Sequence, residues 1–96
     1  MARFQLGQVV ATRGVADLMT ENAAFARFAQ IAFARYQRCD WGDLCKDDAA
    51  MNDNAVADGD DRILASYIHP EHSDWKIWII TEWDRSATTI LFPSDY

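Results

Sequence analysis

Proline and cysteine occur only twice each, and glycine four times. So little glycine and proline excludes collagen-like and low-complexity chains, which draw about a quarter or more of their residues from these two. Two cysteines are too few for the disulfide framework of a small secreted domain, and Cys39 and Cys45 read as reduced thiols. Positive charge is the next shortage, with nine Lys and Arg against fifteen Asp and Glu, net −6. Neutralising phosphate needs a surplus of basic side chains, so direct binding to nucleic acid or to an anionic membrane surface is not expected. Long apolar runs are also missing. No window reaches the roughly 18 uninterrupted apolar residues of a membrane span. The start, Met1 to Gln8, lacks the charged-then-apolar order of a secretion signal. The expectation is a cytoplasmic domain.

What is present suffices for one core. Half of the 96 residues are apolar and 12% are aromatic, which excludes a disordered acidic tail and fits a single domain over residues 1–96. Phe4 to Thr12, with Val9 and Val10 side by side, predicts a first strand. Val15 to Met19 predicts a short helix, and Thr20 with Glu21 behind it predicts the start of a longer one reaching Arg38. On that helix Phe25, Phe28, Ala29, Ala32, Phe33 and Tyr36 share one broad face, the signature of a buried seam. A third helix is expected from Cys45–Asp47 to Gly59, with Asp47 and Asp48 where the helix dipole favours negative charge. Residues 63–68, 75–81 and 86–92 are β-branched and aromatic runs with short polar connections, which predicts an antiparallel meander. The fold class is α+β in the order β-α-α-α-β-β-β, an antiparallel sheet of three or four strands with helices on one face. The other face would carry Trp78, Ile80 and Leu91, an apolar patch suited to a homodimer.

The charge is unevenly placed. Residues 40–61 hold eight Asp and one Lys, net −7, while the remainder holds seven acids and eight bases, net +1. Three readings fit the run Asp40, Asp43, Asp47, Asp48, Asp53, Asp58, Asp60, Asp61. It is a solvated face that keeps the chain soluble, a phosphate-like array that docks on the basic groove of a nucleic-acid-binding partner, or a Ca²⁺ site. The last lacks EF-hand spacing and its terminal Glu. Trp83, between Glu82 and Asp84 at an expected hairpin tip, is either an exposed binding residue or folded back beside Trp78.

Catalytic patterns are scarce. His69 and His72 with Cys39 and Cys45 invite zinc, yet Cys-x₅-Cys is not a zinc-knuckle spacing and the histidines flank Pro70 in a loop. Ser86 and Asp84 lack a nucleophile elbow, and no Gly-rich phosphate loop occurs. No enzyme and no cofactor are expected. The loop Asp40-Trp41-Gly42-Asp43 reads as structural, with Trp41 in the core and Gly42 at positive φ.

Several motifs together resemble a known group. They are Asp40-Trp41-Gly42-Asp43, then Asn52-Asp53-x-Ala55-Val56-x-x-Gly59, then Arg62-x-Leu64 with Tyr67. The last is Ile77-Trp78-Ile79-Ile80-Thr81-Glu82-x-Asp84-Arg85-Ser86-Ala87-Thr88-Thr89-Ile90-Leu91-x-Pro93-x-x-Tyr96. These look like small uncharacterised bacterial proteins of plasmids, phages and integrated elements, often labelled plasmid-related. Cys39, Cys45, His69 and His72 fall outside that pattern. The resemblance implies a mobile-element context, where small acidic proteins inhibit host defence in the manner of anti-CRISPR or anti-restriction proteins. The expected function is non-enzymatic inhibition of a CRISPR effector or restriction complex. The expected binding residues are Asp43, Asp47, Asp48, Asp53, Asp58, Asp60, Asp61, Glu82, Trp83 and Asp84.

Overall fold

The computed structural model describes residues 2–96. The elements are β1 (Gln8–Ala11), α1 (Arg13–Glu21), α2 (Ala23–Gln37), α3 (Lys46–Asp58), β2 (Ile63–Ile68), β3 (Lys76–Thr81) and β4 (Ala87–Leu91), followed by a 3₁₀ turn at Pro93–Asp95. The α+β class is that expected from the sequence, and the elements run β-α-α-α-β-β-β with the added 3₁₀ turn at the end. The sheet order is β1-β4-β3-β2. β2, β3 and β4 form the expected antiparallel meander, but β1 runs parallel to β4, from Gln8↔Ala87 to Ala11↔Ile90. The sheet is therefore mixed, not antiparallel throughout.

The cause lies in Phe4 to Gly7, which were expected to begin the strand and instead pack against Tyr36, Trp41 and Thr88. The amide of Arg3 donates to the Gln37 carbonyl at 3.1 Å, and the Leu6 carbonyl accepts from Thr88 Oγ1 at 2.7 Å. Gly7 then turns at φ 64°, where a Cβ would collide with the backbone of Arg85 and Ser86. The chain thus joins β4 at its N-terminal end and runs alongside it in the same direction.

The helix break falls at Asn22 rather than Thr20. Asn22 Oδ1 accepts from the Phe25 amide at 3.1 Å, while its own amide donates to Leu18, so one residue closes α1 and opens α2. Thr20 instead donates back to the Ala16 carbonyl at 3.1 Å. As the spacing predicts, Phe25, Ala29, Ala32 and Tyr36 are buried, with Phe28 and Phe33 packed beside them. They meet Ile63, Ala65, Tyr67, Ile77, Ile79 and Ile90 of the sheet. Phe4, Tyr36 and Trp41 form an aromatic triad with centroids 5.4–6.0 Å apart. Within this core the hydroxyls of Tyr36, Thr81 and Thr88 are linked at 2.7 Å each, ending on Leu6. Because Thr88 donates to a carbonyl, the chain runs one way: Tyr36 to Thr81 to Thr88 to Leu6.

α3 lies along the outer edge of β2. The Asn52 amide donates to the Leu64 carbonyl at 2.8 Å and its oxygen accepts the Leu64 amide at 3.3 Å. Further along, Ser66 pairs with Trp41 and Asp43 backbone groups, and Asp43 Oδ2 accepts the Ile68 amide at 2.8 Å. Leu64, Ser66 and the Ile68 amide, which face outward from β2, thus have partners, which blunts this edge. The helix-free face also differs from the expected bare patch. Ile80 and Leu91 are each only 5% exposed, and Tyr96 packs on half-buried Trp78 at 5.8 Å.

Candidate functional site

Three of the eight aspartates between residues 40 and 61 serve the fold. Asp40 receives Arg35 at 2.8 and 3.2 Å, and that hydrogen bond holds its carboxyl below the usual carboxylate range. Asp43 holds the β2 edge, and Asp53 accepts from Trp41 Nε1 at 2.9 Å. Trp41 is buried and Gly42 sits at φ 74° beneath Tyr67, as read for this loop. Asp43 and Asp53, expected as binding residues, thus have structural partners.

The remaining acids occupy two places. Asp47 and Asp48 are exposed in the first turn of α3. Asp58 is eleven residues along, about 16 Å away at 1.5 Å per residue. At that C-terminal end Gly59 closes the helix at φ 73°, and Asp60 and Asp61 follow, exposed.

Arg85 connects this end to the β3–β4 hairpin. Its Nη2 donates to the Ala55 carbonyl at 2.8 Å. Its Nη1 donates to the Asp61 carbonyl at 2.6 Å and to those of Glu82 and Trp83 at 3.2 and 3.3 Å. A cation among the last carbonyls of a helix also meets the negative end of its dipole. Arg85 itself adopts φ 60°, and Asp84 closes the turn by accepting the Ser86 amide at 3.0 Å. Hydrogen bonds from Ser86 hold the Asp84 carboxyl below its ordinary range.

The result is a corner where Arg85 joins the backbone of Ala55 and Asp61, in the segment that also carries Asp58 and Asp60, to that of Glu82 and Trp83, with Asp84 next in the chain. Trp83 is 64% exposed. Of the two positions open to it, it takes the projecting one, and Tyr96 occupies the place beside Trp78. Arg62 lies next to the corner but donates to the Tyr96 hydroxyl at 2.6 Å. Arg85 was not foreseen as the residue that assembles the corner.

The four soft ligands sit in separate roles. His69 Nδ1 accepts the amides of Glu71 and His72 at 3.0 and 3.2 Å, and the His72 ring stacks on Trp75 at 4.3 Å. Cys39 ends α2, and Cys45 precedes α3. Among the described residues no three His, Cys, Asp or Glu come together as a metal-binding group, and no helix is long and apolar enough to cross a membrane. Comparison with protein-family models, with curated proteins and with solved structures returned no match.

Proposed function

We propose that this is a non-enzymatic protein of a mobile element that binds and inhibits a host nucleic-acid-binding defence protein in the cytoplasm. The partner is a CRISPR effector or a restriction complex, and the chain occupies the basic groove that otherwise holds nucleic acid. The observation that carries this reading is exposed Trp83, flanked by Glu82 and Asp84 on a hairpin that Arg85 ties to the backbone of Asp61 and Ala55, in the segment that also carries Asp58 and Asp60. Carboxylates held by a rigid scaffold offer a basic groove the charge that phosphates would offer, and they steer association. The exposed Trp83 indole beside them supplies the apolar anchor typical of interface hot spots. The mobile-element resemblance of residues 40–96 supports the same direction.

The test is a quadruple variant, Asp58→Asn, Asp60→Asn, Asp61→Asn and Asp84→Asn, which preserves the hydrogen bonds and removes the charge. Binding to purified CRISPR effectors and restriction complexes is measured across a salt series. The expected result is a partner bound at low salt, with affinity at least tenfold weaker in the variant and a flatter salt dependence. A bound partner whose affinity and salt slope are unchanged in the variant contradicts the reading.

A further inference from the structure

The two edges of the sheet are treated differently. β2 is covered residue by residue, whereas β1 is paired only with β4. In that parallel ladder Gln8, Val10 and Thr12 point their backbone groups at β4, as the amides of Gln8 and Thr12 on Ser86 and Ile90 show. The N–H and C=O of Val9 and Ala11 therefore point away from the sheet. All four β1 residues are exposed, and Val9 and Val10 expose 45% and 38% of their surface. Short as the strand is, neither charge nor proline guards it: residues 4–12 contain none of either.

We propose that this edge pairs antiparallel with β1 of a second copy, giving a continuous eight-stranded sheet. The register sets Val9 opposite the second copy's Ala11, with Val10 facing its own equivalent across the two-fold axis. Two facts favour a second copy as the occupant. First, the segment is uncharged in a chain of net −6, and α3 with its acids lies at the far edge of the sheet, so the like charges of two copies stay apart. Second, this register brings Arg13, just past the end of β1 in one copy, toward Gly7, just before its start in the other. Gly7 abuts the Arg85–Ser86 backbone, next to the carboxylate of Asp84. The Arg13 side chain is 95% exposed and held only by Asp17 at 3.9 Å, free to reach across. The inference shares Asp84 with the proposed binding corner, but it needs no partner to test.

Sedimentation velocity from 1 to 200 µM is the experiment, with Val9→Pro and Val10→Lys beside the parent chain. Val9→Pro removes an outward N–H and leaves the β4 ladder intact. The expected result is a concentration-dependent dimer for the parent and monomers for both variants, with unchanged near-UV circular dichroism. In a Cys39→Ser, Cys45→Ser background, Val10→Cys should cross-link to its own copy on oxidation, since directly opposed non-hydrogen-bonded residues lie about 4.5 Å apart. Gln8→Cys in the same background should not. A parent chain that stays monomeric at 200 µM overturns the proposal. So does a dimer that survives the Val10→Lys change, or one that cross-links through residue 8 rather than residue 10.

Discussion

The guanidinium of Arg85 donates to the carbonyl of Ala55, thirty residues earlier, at 2.8 Å. This contact joins the tip of a hairpin to the last turn of a helix, and it decides where Trp83 and its neighbouring carboxylates sit. Sequence distance is replaced by a single side chain that satisfies four carbonyls at once.

Replacing Arg85 with Ala leaves those carbonyls without their charged donor. Hydrogen bonds from charged groups contribute about 1.5–3 kcal/mol, so Arg85→Ala should lower stability by about 2 kcal/mol in urea unfolding. Arg85→Lys keeps the charge but not the fork, and should fall between. An Arg85→Ala chain as stable as the parent would show that the corner is held by other contacts.

Asn52 acts as a substitute strand for Leu64 by giving one donor and one acceptor to the same residue. Asn52→Ala strands two partly buried backbone groups, at a cost of about 2 kcal/mol. Equilibrium unfolding measures this directly. A loss below about 0.5 kcal/mol, the range of ordinary surface changes, would mean that water replaces the amide freely.

Burial raises the phenols of both Tyr36 and Tyr67 well above their ordinary range. The folded state favours the neutral form, so this stability is fully present below the unfolded value near pH 10 and is lost as pH climbs from there toward the folded values. Two such groups give a slope of up to about 2.7 kcal/mol per pH unit. Unfolding midpoints between pH 9 and 11 should fall, and Tyr67→Phe should flatten the decline by about half. A stability that does not change across this window would contradict the placement of these rings.

How far the sequence reveals this molecule depends on whether a contact has a residue on both sides. The seam Phe25, Ala29, Ala32, Tyr36 and the stop at Gly59 were readable because periodicity and backbone geometry are local. The meander was readable for the same reason. The parallel pairing of β1 was not, because it depends on contacts of residues 3–7 with Gln37 and Thr88, far along the chain. The break between the first two helices was placed at Thr20, whereas Asn22, a stronger N-cap type than threonine, takes it. The −7 segment was plain in the sequence. Its division into Asp40, Asp43 and Asp53, whose carboxylates hold distant parts of the fold, and Asp58 to Asp61, whose carboxylates do not, depends on Arg35, the Ile68 amide and Trp41. Arg85 was least visible, since its partners are carbonyls and carbonyls carry no residue identity.

The most direct test of the corner as a nucleic-acid substitute is competition on a defence effector that captures the chain. Labelled nucleic acid bound to that effector is followed by fluorescence anisotropy as the chain is added. The parent chain should displace the nucleic acid, and Trp83→Ala should need at least tenfold more protein, since a central interface tryptophan contributes about 2 kcal/mol or more. Its unfolding midpoint should match the parent's, because Trp83 is 64% exposed. Nucleic acid that stays bound beside the chain, or a Trp83→Ala chain that competes as well as the parent, would contradict the account.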